Sequence, residues 1–99
     1  MPYKVGAYAG VKEQMRTLAD LASLAGIRHS YLDALKQMAR HLQDDPLAWG
    51  DPVYRSPQQG GIVYHALVGP IVVHYAVHES KKAVLIIRIE PLFEWPVRP

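Results

Sequence analysis

Between Ile62 and Glu90 the chain reads as three strands in succession, and that succession leaves few folds open to it. Ile62–Val68, Ile71–His78 and Ala83–Glu90 are runs rich in Val, Ile and Tyr, residue types that suit a pleated, half-buried strand. Gly69-Pro70 separates the first two runs: Gly supplies the positive φ that a two-residue II′ hairpin needs, and Pro fits the next position. That turn sets His65 opposite His74 and Tyr64 opposite Tyr75. For the second connection, a three-residue loop (Glu79, Ser80, Lys81) puts Leu85 opposite Tyr75, Ile86 opposite His74 and Ile87 opposite Val73. An even loop swings Arg88 onto the apolar face and buries a charge without a partner, so the odd loop is expected. Alternation then gives two faces. Tyr64, Val73, Tyr75, Leu85, Ile87 and Ile89 belong to the one a helical layer should cover. His65, His74, His78, Val84, Ile86, Arg88 and Glu90 belong to the other, which is left open to solvent or a partner.

Upstream of residue 60 the apolar period lengthens from two to three and four. Val11, Met15, Leu18, Ala22 and Ala25 mark an amphipathic helix from about Gly10 to Ala25, with Gly26 placed to end it. Tyr31, Leu35, Met38 and Leu42 mark a second helix, which stops before Pro46. It starts near Ser30, whose hydroxyl can cap the first turn with Asp33 three residues on. So short a connection predicts an antiparallel hairpin, laying Leu18, Leu35 and Met38 over the apolar sheet face. Pro2–Ala7 is a short strand candidate. Asp45–Gly61, with three prolines and three glycines, reads as a surface loop pinned by Trp49 and Tyr54, and Trp95 reads as an anchor of the tail.

Composition narrows the classes further. Ninety-nine residues are one domain's length, and 49% hydrophobic against 20% charged residues at a net charge of +2 favours a folded globule over disorder. The uncharged run Gly60–Ala76 contains Gly69, Pro70, His65 and His74, which argues against a membrane helix. The N-terminus lacks the basic-then-apolar layout of a signal peptide and there is no cysteine. A single cytoplasmic domain over residues 1–99 is the expectation. Eleven Lys and Arg against nine Asp and Glu do not make the dense basic stripe of a nucleic-acid binder, although protonating five histidines would raise the formal charge from +2 to +7. No phosphate-binding glycine loop, nucleophile elbow, HExxH or paired-cysteine motif is present, and no cofactor is expected.

The order of short strand, helical hairpin and three-stranded meander resembles the RelE/ParE family of bacterial type II toxins. The resemblance is carried by YLDALKQMARHLQDDP at Tyr31–Pro46 and IVYHALVGPIVVHYAVHESKKAVLIIRIEPL at Ile62–Leu92, and extends over roughly residues 3 to 92. It implies an α+β, RelE-like fold: a short N-terminal strand and an antiparallel two-helix hairpin packed on one face of an antiparallel sheet with a C-terminal three-stranded meander. It also implies a toxin neutralised by an antitoxin, with mRNA at the ribosome or, in the ParE branch, DNA gyrase as target. Members that cleave mRNA carry lysines on the second strand, an arginine entering the third, and an arginine and a tyrosine past the fourth. Here those places hold Val63 and His65, Ile71 and Val72, and Pro91, Leu92 and Phe93, so only His65 keeps a group that can carry charge. The leading expectation is a toxin or toxin homologue with endoribonuclease activity. The alternative is a gyrase-directed toxin, or a protein-interaction module that keeps the fold without catalysis.

The open face carries the candidate chemistry. His65 and His74 across a strand pair bring two imidazoles within about 5 Å at Cβ. One can take the proton of an RNA 2′-hydroxyl while Arg88 stabilises the developing phosphorane, with Glu90 close by. The bland reading is a solvated strand face with assorted polar residues. No metal is expected, because His78 lies about 13 Å along the strand from His74 and no third ligand converges. Lys81, Lys82, His78, Glu90 and Arg55 are candidates for contacting RNA or a partner, against the plain reading of soluble turn and surface residues. Lys12, Arg16, Arg28, Lys36 and Arg40 lie on outer helix surfaces, either simply solvated or suited to an acidic antitoxin helix.

Overall fold

Two helices, α1 (Val11–Leu24) and α2 (Arg28–Asp44), cover one face of a five-stranded sheet in the computed structural model, which describes residues 2–56 and 61–93. The strands are β1 (Lys4–Ala7), β2 (Asp51–Ser56), β3 (Gly61–Val68), β4 (Ile71–His78) and β5 (Ala83–Pro91), ordered β1-β5-β4-β3-β2. A single helical turn, α3 (Pro46–Trp49), leads from α2 into β2. The sheet is antiparallel from β2 to β5, with the expected meander in β3 to β5, and gains one parallel edge where β1 runs beside β5, with Lys4 N–H donating to the Lys82 carbonyl and Tyr8 N–H to that of Ile86. Among the described residues no helix is long and apolar enough to cross a membrane. Trp95 lies outside them.

The helical hairpin turns on Gly26. At φ 77° it takes the left-handed conformation that lets Gly26 N–H reach the Ser23 carbonyl and Ile27 N–H reach that of Ala22, which satisfies two carbonyls left over at the end of α1. This tight closure lets α2 begin at Arg28, two residues before Ser30, with Ile27 at the N-cap and no side-chain cap. The capping role expected of Ser30 is therefore wrong: Ser30 already lies inside the first turn. Tyr31 crosses to α1 and donates its hydroxyl to the Met15 carbonyl at 2.7 Å, and burial pushes its pKa up to about 12.

Asp45–Gly61 is not a loop throughout. Asp51–Ser56 forms β2, paired with β3 around an irregularity between Pro52 and Tyr54. Pro52 concealed it in the sequence, yet an edge strand tolerates a residue that cannot donate to the ladder. α3 and β2 are held to the core by the Tyr75 hydroxyl, which donates to the Pro46 carbonyl at 2.6 Å and accepts from Gly50 N–H at 2.9 Å. Trp49 does pin the segment, stacked between His41 and Tyr75, whereas Tyr54 is exposed.

The β3–β4 hairpin has the expected register, with Tyr64 opposite Tyr75 and His65 opposite His74, and Gly69 at φ 51° in its turn. The β4–β5 register differs from expectation. His78 pairs with Ala83, so the loop is the even one, Glu79–Lys82, and Tyr75 faces Ile86. Continued regularly, that register would bury Arg88. A bulge between the His74 and Tyr75 positions instead leaves Ile87 over, so that Arg88 pairs with His74 and Ile89 with Val73. Val84, Ile86 and Ile89 consequently fill the core, and Leu85 and Ile87, expected there, are only half-buried on the other face. Above them lie Leu18, Ala22, Tyr31, Ala34, Met38 and Leu42, with Leu35 half-buried at the margin. Where β1 ends, the Gln14 side-chain oxygen of α1 accepts from Ile89 N–H at 2.8 Å.

Candidate functional site

The face of the sheet away from the helices gathers its polar side chains into one transverse row. Register aligns Asp51 of β2, His65 of β3, His74 of β4 and Arg88 of β5. The two imidazoles meet edge to face with centroids 6.3 Å apart. Glu90, one pleat further along β5, reaches back into the row: its Oε1 lies 3.0 Å from His74 Nε2 and 2.9 Å from Arg88 Nε. An ionised carboxylate only accepts, so a neutral His74 carries its proton on Nε2 and leaves Nδ1 as the basic nitrogen. Burial first, and the Arg88 charge next, hold His74 below the ordinary histidine range, against the Glu90 carboxylate, whose charge and hydrogen bond pull it up. A cavity of about 140 Å³ beside the row is lined by His65, His74 and Arg88 together with Val53, Tyr54, Val63 and Ile87.

The structure thus brings His65, His74, Arg88 and Glu90 together and leaves the other candidates elsewhere. His78 stands at the far end of β4 and, with Arg55, Glu79 and Ser80, borders a separate cavity of about 270 Å³. Lys81 is exposed in the β4–β5 turn. Lys82 has a structural part: it takes φ 50° to close that turn, and its Nζ lies 5.0 Å from the centre of the Tyr3 ring at the β1 edge. Lys12, Arg16, Arg28, Lys36 and Arg40 are all exposed, and Arg16 is paired with Glu13 at 2.7 Å. Val63, where the resemblance implies a lysine, is buried, at 2% exposure. The sequence pattern does not single out Asp51, because Gly50 and Pro52 on either side of it carry loop signals. The signal that could have found it is Val53-Tyr54, two strand-forming residues just past Gly50. Among the described residues no three His, Asp or Glu side chains gather as a metal site.

No protein-family model matches the sequence, and no curated protein is similar to it. Solved structures do share its fold. The archaeal RelE-RelB complex from Pyrococcus horikoshii OT3 matches with a TM-score of 0.68 at 18% identity, covering 93% of this chain and 97% of that one. The chromosomal ParDE system of P. aeruginosa matches with a TM-score of 0.64 at 12% identity, over 92% and 97% of the two chains. The toxin-antitoxin complex RelBE2 from Mycobacterium tuberculosis matches at 0.59 with 20% identity, over 92% of each. These likenesses give the chain a RelE/ParE-type toxin fold with no large insertion or deletion.

Proposed function

We propose that this chain, built on the RelE/ParE toxin fold, is the toxin of a type II toxin-antitoxin pair and that its open sheet face cleaves RNA. The observation that carries the reading is the fold match over at least 92% of this chain to proteins solved as toxin-antitoxin complexes. The chain acts as one cytoplasmic domain over residues 1–99. An antitoxin with an acidic segment suits the exposed Lys12, Lys36 and Arg40 of the helical layer.

RNA cleavage is the activity this face fits best. His74, held neutral by burial and by Arg88, takes the 2′-hydroxyl proton on Nδ1. The 2′-oxygen attacks phosphorus, the bond to the 5′-oxygen breaks, and the imidazolium of His65 supplies the proton that the leaving oxygen requires. The products are a 2′,3′-cyclic phosphate and a 5′-hydroxyl. Arg88 offers its guanidinium to the phosphorane. The absence of the family's lysines favours a second reading, an interaction module or gyrase-directed toxin that keeps the fold without this chemistry.

Inducible expression in a bacterial host separates the readings. Growth arrest is expected, with new 5′-hydroxyl ends in cellular RNA and rescue by an acidic partner protein. Arrest with intact RNA, retained when both His65 and His74 are alanine, would leave the gyrase-directed reading. A harmless protein would leave the interaction module.

A further inference from the structure

Glu90 is a charged group of the row that the cleavage chemistry does not use, and its placement is specific. Two donors on neighbouring strands, Arg88 Nε and His74 Nε2, converge on a single carboxylate oxygen, at 2.9 and 3.0 Å. Convergent donors of this kind define an oxyanion position. His65 faces His74 across the β3–β4 pair, and His65, His74 and Arg88 all line the 140 Å³ cavity, so the two donors that hold the carboxylate oxygen also border open space. The Glu90 side chain is 48% exposed and that of Arg88 59%, whereas His74 is held at 18%. The carboxylate is therefore free to turn out to solvent while His74 stays in place.

We propose that Glu90 is an internal stand-in for a phosphoryl group: it occupies the anion position between His74 and Arg88, and a phosphate or phosphodiester enters by displacing it. Two anions cannot share these donors without strong repulsion, so the site binds phosphate in competition with its own side chain. At rest Glu90 neutralises Arg88 and keeps the row from attracting anions unselectively. A substrate whose neighbouring phosphates and bases make further contacts overcomes the competition; a free phosphate does so poorly. The groups facing His74 are His65 from β3 and Arg88 and Glu90 from β5, with Asp51 of β2 beyond His65 in the row.

The inference deepens the reading of this face as a phosphodiester site, and a binding measurement separates the two. Inorganic phosphate is titrated against the full chain at fixed pH while the histidine ring resonances are followed by NMR. The wild-type protein should bind weakly and Glu90→Gln about tenfold more tightly, the scale of one released charged hydrogen bond. His65 and His74 should respond, and His29, His41 and His78 should not. Glu90→Thr, which suits a strand and removes the carboxylate altogether, should show the same gain, and adding Arg88→Gln to either variant should abolish it. Equal or weaker phosphate binding in both Glu90 variants, or a response confined to the distant histidines, would overturn the proposal. A protein that neither arrests growth nor cleaves RNA yet titrates as expected overturns the toxin reading alone. Cleavage with phosphate binding indifferent to Glu90 overturns this inference alone.

Discussion

His74 shows how one residue ties stability to chemistry. Its pKa in the folded chain lies below the ordinary value because burial and Arg88 disfavour the imidazolium. The unfolded chain, with an ordinary imidazole near 6.5, therefore binds the proton more readily. The stabilisation is fully present above that value and is lost as pH falls below it toward the folded pKa. Thermal melts should show stability falling as pH drops below about 6.5, with a shallower slope in His74→Gln. A slope indifferent to that substitution would assign the dependence to other groups. The same pair sets the kinetics: cleavage should follow a bell-shaped pH profile, and His65→Ala or His74→Ala should each lower the rate about 10² to 10⁴-fold. Arg88→Lys should also weaken it, since an ammonium lacks the planar fork of a guanidinium. Undiminished cleavage in the double histidine variant would eliminate this mechanism.

At the scale of elements, two junctions position the row. The first is the meeting of α3, β2 and Tyr75. A Cβ on Gly50 would stand 2.6 Å from the Tyr75 hydroxyl oxygen and 2.7 Å from the His65 carbonyl oxygen, so the residue beside Asp51 must be glycine for reasons of space. Tyr75→Phe leaves the Gly50 N–H and the Pro46 carbonyl without their partner and should cost about 1–3 kcal/mol by denaturant titration, while Gly50→Ala should lift β2 from the sheet. A change near zero in Tyr75→Phe would show that water replaces the hydroxyl. The second junction is the bulge at Ile87. Because Ile87 is the residue left over, deleting it should keep Ile86 facing Tyr75, Arg88 facing His74 and Ile89 facing Val73, so the chain should fold. Deleting Ile89 brings Glu90 opposite Val73 and buries a carboxylate, so that variant should not fold. Circular dichroism of the two deletions tests the register directly, and equal behaviour would refute it.

For the whole molecule, a single core joins both helices to three of the strands, β3, β4 and β5, from Val11 and Leu42 to Val84 and Ile89. Such a core should unfold in one cooperative step. Trp49 reports on it because it stacks on Tyr75 with ring centres 5.8 Å apart. In a Trp95→Phe background, its fluorescence and far-UV circular dichroism should give coincident denaturant transitions. Leu42→Ala, at 0% exposure, should shift both together by about 2–5 kcal/mol, and Leu35→Ala, at the margin, by less. Separate transitions would divide the chain into independently stable parts.

What the sequence determined by itself is whatever depends on near neighbours. The two helices, the Gly26 and Gly69 turns, the β3–β4 register and hence the facing of His65 and His74 follow from periodicity and from the φ that glycine permits. The helix start at Arg28 fell outside that range because the closure of the preceding helix, and not a capping side chain, decides it. Tertiary structure decided the rest. β2 exists because the edge of β3 offers a ladder that Pro52 need not complete, and this alone brings Asp51 to the row. Arg88 stays out of the core as its charge requires, but the chain meets that requirement with an even loop and a bulge instead of an odd loop. Either device keeps Arg88 on the open face, but only the even loop with its bulge sets Arg88 opposite His74, and the packing of Val84 and Ile86 beneath the helices goes with that register. The convergence of Arg88 and His74 on one Glu90 oxygen follows from that choice, since it needs three side chains from two strands in a single register.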